Sequence, residues 1–141
     1  LLRRLPGGVR ALLTADHGMV NIDPASLRDL ADSPALAQDV RLIAGETRAV
    51  HVHAEPGRAR SVEERWRGEL GEGAWILNRS QMGALIGQGP GADAVGDLLV
   101  LARGRGGVVD SRVQSAAMIA MPGVHGSLSA EEMRIPLVRL A

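Results

Sequence analysis

Cysteine, lysine, phenylalanine and tyrosine are all absent from the 141 residues. Without cysteine there is no disulfide, no thiolate nucleophile and no sulfur-ligated zinc, so any metal site must be built from Asp, Glu or His. Without lysine there is no Schiff-base chemistry and no P-loop phosphate lysine. Trp66 and Trp75 are the whole aromatic complement besides histidine, too few for a platform that stacks bases, and they read as packing residues. Net charge is absent as well: 16 arginines balance 16 acidic residues, so no overall field favours nucleic acid or an anionic membrane. No apolar run approaches the roughly 18 residues of a membrane helix. The opening LLRRLPGG lacks the order of a signal peptide. The expectation is a soluble chain with no membrane span and no nucleic-acid partner, located in the cytoplasm. Leu1-Leu2-Arg3-Arg4-Leu5, running into Pro6-Gly7-Gly8 without an initiating Met, reads as the last turn of a helix and as a cut edge.

What is present suits one compact domain, since a chain near this length buries roughly 68–70% of its unfolded surface. Val9 to Thr14 is short and mostly apolar, bounded by Gly-Gly and by Asp-His-Gly, as expected of a parallel strand buried on both faces. Pro24 predicts a helix with Asp23 as N-cap and Leu27 and Leu30 on its apolar face. Strand-like pieces follow at Val40–Ala44, Arg48–Ala54, Ala74–Leu77 and Asp97–Ala102, with helices predicted at Ser61–Leu70 and Ser80–Ile86. That texture suggests an α+β lobe inserted into an α/β core. The expected organisation is a first core segment over 1–38, the inserted lobe over 39–110 and a returning core segment over 111–141. Ser129-Ala130-Glu131-Glu132 fits a capping box, and IPLVRLA is expected to enter the same sheet as the first strand.

Several residue groups could carry chemistry. Asp16 and His17 end an apolar strand, where open α/β sheets place their ligands, and an irregular loop would let both reach one cation. A capping Asp beside an exposed His fits the same spacing. His125, pressed between glycines in GVHGS, reads as an ordinary turn when taken alone. His51 and His53 would share one strand face, with Val50 and Val52 on the other and no carboxylate of suitable spacing nearby. GQGPGA from Gly87 matches a dinucleotide fingerprint, but the strand at Asp97 leaves no room for the helix that fingerprint needs, so it reads as a loop.

Taken together, LLTADHGM and GVHGSLSAEEMRIPLV resemble the closing motifs of the alkaline phosphatase superfamily, most closely its type I phosphodiesterase and nucleotide pyrophosphatase branch. The resemblance is firm over Val9–Met19 and Gly123–Leu140. It implies part of an alkaline-phosphatase-like central sheet, two divalent cations in the intact enzyme, zinc or alternatively manganese, and a small-molecule phosphodiester or nucleotide substrate. Carried over by motif, Asp16 and His17 would bind the metal that activates the nucleophile, and His125 the other metal. Such a pair, roughly 3.5–4 Å apart, stabilises both attacking and leaving oxygens of an in-line displacement. The family's nucleophile and remaining ligands precede its Asp-His-Gly motif, and no residue before Leu12 fits them. The chain is therefore expected to be the C-terminal portion of a longer hydrolase, with no catalytic nucleophile and no activity by itself. The competing expectation is a non-catalytic α+β interaction module that self-associates, in which both histidine loops are plain turns.

Overall fold

The structure, a computed structural model, describes Pro6 and residues 8–140; the helical turn expected at residues 1–5 lies outside them. The fold is a mixed α/β arrangement of small sheets. Its largest sheet is built from β4 (Val40–Glu46), β5 (Ala49–Ala54), β6 (Ala74–Asn78) and β7 (Leu98–Ala102), all antiparallel in the order β4-β5-β7-β6. Alternation in AVHVHA decides how β5 sits: Val50, Val52 and Ala54 are buried on one face while His51 and His53 lie half-buried on the other. β7, LLVLA, is buried at every position, as a central strand covered on both faces requires.

Helices cover the two faces. On one, α1 (Pro34–Ala37) and α2 (Ala59–Leu70) bring Leu36, Val62 and Trp66 against Val50, Val52, Ile76, Leu98 and Val100. Trp66 is fully buried, and its indole N–H donates to the Leu36 carbonyl at 3.0 Å, which satisfies the one polar atom it carries inward. On the other face α3 (Arg79–Ile86), started by an Asn78–Gln81 capping box, sets Met82 on Leu99 and Leu101. Trp75 is half-exposed, with the Arg103 guanidinium 5.0 Å above its ring.

The rest of the chain forms two-stranded pairs. β1 (Leu12–Thr14) runs antiparallel to β10 (Leu137–Arg139), and β2 (Val20–Asn21) antiparallel to β9 (Gly123–Val124). β3 (Leu27–Asp29) pairs in parallel with β8 (Gly107–Val109). Two short helices, α4 (Ala116–Ile119) and α5 (Ala130–Met133), follow, the second begun by the expected Ser129–Glu132 capping box.

Two expectations are corrected. β1 is neither parallel nor buried: it pairs antiparallel with β10, and Leu12 is 63% and Leu137 74% exposed because no element of the described chain packs over this ribbon. The helix expected from Pro24 stops after the single turn Pro24–Ser26. Asp23 caps that turn through Ala25 N–H, but its other oxygen accepts from the Ser26 hydroxyl, and Leu27 leaves to join the β3–β8 ladder. Leu30 is buried all the same, in a second short turn capped by Asp29.

Candidate functional site

The antiparallel pair β2–β9 aligns Val20 with Val124, so the loop before β2 and the loop after β9 leave from the same end of one ribbon. His17 lies in the first loop and His125 in the second. Their rings stack, with centroids 3.6 Å apart and planes inclined by 19°. Two of the three residues singled out for metal binding, far apart in sequence, are thus in contact. Asp16, the third, is 89% exposed, with its Oδ1 3.8 Å from His17 Nε2, while the His17 side chain is 37% exposed.

The local hydrogen bonds decide what the imidazole offers. His17 Nδ1 lies 2.8 Å from the Gly18 carbonyl oxygen. A carbonyl can only accept, so Nδ1 carries the proton in the neutral ring and Nε2 presents its lone pair on the Asp16 side. Metal-binding histidines are held in this way, one ring nitrogen donating to a carbonyl so that the other is free to ligate. Asp16 Oδ1 accepts the His17 backbone N–H at 3.0 Å. Its carboxyl is held below the usual carboxylate value by its own backbone N–H first, then by the charge of His17 and the His17 N–H.

Each loop packs closely through a glycine, Gly18 against α5 and Gly126 against the β4–β5 hairpin. The Gly18 N–H donates to the Glu132 carbonyl at 2.7 Å, and a Cβ on Gly18 would run into the Glu131 carbonyl oxygen, so no larger residue fits. Gly126, beside His125, has φ +116°, which favours glycine, and a Cβ there would meet the Ala49 side chain at 2.9 Å.

The donor set suits a divalent cation in kind: a carboxylate and two imidazoles, one with its tautomer set. It is short in number. Among the described residues no group of three or more His, Asp or Glu side chains is gathered closely enough to hold an ion. His51 and His53 do share a face of β5, where burial first and then the charge of His53 hold His51 below the ordinary histidine value.

A buried ion pair beside the loops has no counterpart in the sequence reading. Arg48, in the turn between β4 and β5, and Glu132 of α5 are both buried, joined by Nε–Oε1 at 2.8 Å and Nη2–Oε2 at 2.9 Å. Glu132 is visible in the sequence as a capping-box residue, and it does cap; nothing local marks the same carboxylate as the partner of Arg48.

No family model matches the chain, and no curated protein matches it. Solved structures do. Murine ectonucleotide pyrophosphatase/phosphodiesterase 5 aligns over 92% of this chain with a TM-score of 0.66 and 16% identity. The human protein of that name aligns over 94% with a TM-score of 0.71 and 12% identity. An inactive variant of the murine protein in complex with AMP aligns over 91%, at 0.66 and 15%. The chain spans 33% of the length of each. The fold is thus shared with part of a nucleotide pyrophosphatase/phosphodiesterase, the same branch that the two sequence motifs resemble.

Proposed function

We propose that this chain is the C-terminal portion of a metal-dependent phosphodiesterase or nucleotide pyrophosphatase, and that Asp16, His17 and His125 are its share of a two-metal site. The observation that carries the reading is the stacking of His17 on His125, which joins the two loops bearing the two motifs. The fold likeness to nucleotide pyrophosphatase/phosphodiesterase structures supports it. In this reading the Asp16 carboxylate and His17 Nε2 hold one cation, zinc or manganese, and His125 belongs to the other. The bound ions would supply charge neutralisation at phosphorus and lower the pKa of the attacking group. The protein's own part is to present deprotonated ligands: the Asp16 carboxyl is held below the usual carboxylate value, and His17 offers Nε2 because its Nδ1–H donates to the Gly18 carbonyl. Nucleophile and remaining ligands come from outside this chain, residues 39–110 form a lobe that shapes the approach of a phosphodiester or nucleotide substrate, and the chain alone is inactive.

The test is hydrolysis of a chromogenic phosphodiester by the intact protein with added zinc or manganese. Asp16→Ala and His125→Ala should each lower kcat/KM by more than about 100-fold, the scale on which a lost metal ligand removes transition-state stabilisation, with folding retained by circular dichroism. An active parent indifferent to both substitutions, or a parent inactive with every divalent metal, overturns the reading.

The exposed apolar ribbon β1–β10 favours a second reading, a non-catalytic interaction or oligomerisation module. It is distinguished by metal: such a module retains none at Asp16, and removing that side chain changes nothing.

A further inference from the structure

We propose that Arg48 and Glu132 are positioning residues that hold the Asp16–His17 loop and the His125 loop at their working separation; this rests on the metal-site reading above. Glu132 reaches both loops at once. Its backbone carbonyl takes the Gly18 N–H at 2.7 Å, one residue after His17. Its Oε1 takes the Ser127 N–H at 3.0 Å, two residues after His125. The Ser127 hydroxyl continues to the Ala102 carbonyl at 2.6 Å, and Ser129 Oγ donates to Oε2 at 2.6 Å.

Arg48 anchors that carboxylate to the four-stranded sheet. Its Nη1 donates to the carbonyls of Gly104 and Gly106 at 3.0 and 2.8 Å, and its Nη2 to Ala102 at 3.1 Å, beside the two bonds to Glu132. All five guanidinium N–H groups are engaged, in a rigid fork that fits a carboxylate and backbone carbonyls together. The turn carrying Arg48 is itself locked, since the Thr47 carbonyl accepts from Val108 N–H and the Arg48 carbonyl from Ala102 N–H, both at 2.9 Å. The ribbon β2–β9 alone pairs two residues with two, too little to hold a ring contact in place. A rigid sheet, one arginine and one glutamate supply the missing constraint.

A buried ion pair adds little net stability over apolar residues of similar volume, so stability and positioning separate experimentally. In the intact protein, Arg48→Met with Glu132→Met should keep the circular dichroism spectrum of the parent, with a melting transition lowered because the Gly104 and Gly106 carbonyls and the Ser127 N–H lose their partners. The nuclear Overhauser contact between the His17 and His125 rings should disappear, and cobalt(II) affinity, read from its visible absorption, should fall about 10- to 100-fold, as for outer groups that orient metal ligands. A folded double variant that keeps the ring contact and binds cobalt within about twofold of the parent overturns the proposal. Should that variant fail to fold, Arg48→Lys keeps the charge but cannot hold Glu132 and the carbonyls of Ala102, Gly104 and Gly106 together, and an unchanged ring contact in it is equally fatal. If cobalt leaves the histidine resonances of the parent unmoved, the metal reading fails, and the ring contact alone still decides whether Arg48 and Glu132 position the loops.

Discussion

The four-stranded sheet and the two-stranded ribbons are built on opposite terms. In the sheet, β7 is buried at every position and Trp66 is sealed beneath α2, with its N–H satisfied. In the ribbon β1–β10 all six residues are exposed, four of them leucine or valine, and the ribbon β2–β9 that carries the histidine loops pairs just two residues a side. Stability is concentrated in the sheet, and the candidate site lies on segments that cannot order themselves. The connection between the two is polar: Arg48 leaves the sheet and Glu132 receives it under both loops.

Breaking the sheet should give the largest effect on stability. Trp66→Ala removes the largest fully buried side chain and leaves the Leu36 carbonyl without its donor, so a loss of about 3–5 kcal/mol is expected in denaturant unfolding. A loss below about 1 kcal/mol would show that the core is not centred on α2.

The polar connection should show itself in acid. Burial alone would raise the Glu132 pKa, but hydrogen bonds from Arg48, Ser129 and Ser127, with the charge of Arg48, overcome it and bring the group from 4.5 to about 2. A depressed carboxylate stabilises the fold fully above its unfolded value and loses that contribution as pH falls through the folded one. Between about pH 5 and pH 2 the protein should therefore lose about 3 kcal/mol through this residue. In Glu132→Gln that part of the acid slope should vanish. An unaltered slope in the variant would mean that Glu132 is not ionised under the loops.

The same contrast separates what the sequence discloses from what it conceals. AVHVHA, the α2 and α3 segments and the Ser129 capping box are local signals, set by a period of two, by helical spacing or by four adjacent residues, and each forms close to where it was expected. β1 misleads because an apolar run reports that something ought to cover it, not what does. Pro24 misleads because Asp23 and Ser26 close a single turn on themselves. Arg48 and Glu132 lie 84 positions apart, and no local pattern in either segment points to the other. The two histidine motifs were visible as motifs, but their ring contact depends on a ribbon register and on that ion pair.

The smallest expected effect is the sharpest test of the ribbon β1–β10. Leu137→Ser changes a side chain that is 74% exposed and stands opposite Thr14, so within residues 1–141 it should move unfolding by no more than about 0.5 kcal/mol. The same substitution in the intact protein has a different expectation if the chain is part of a larger hydrolase, as proposed above. There the ribbon would lie against other strands, and burying a serine in place of leucine should cost about 2–5 kcal/mol. A small effect in both settings would leave the ribbon free and favour the interaction module. A large effect confined to the intact protein would place this ribbon inside the enzyme's sheet, and with it the loop that carries Asp16 and His17.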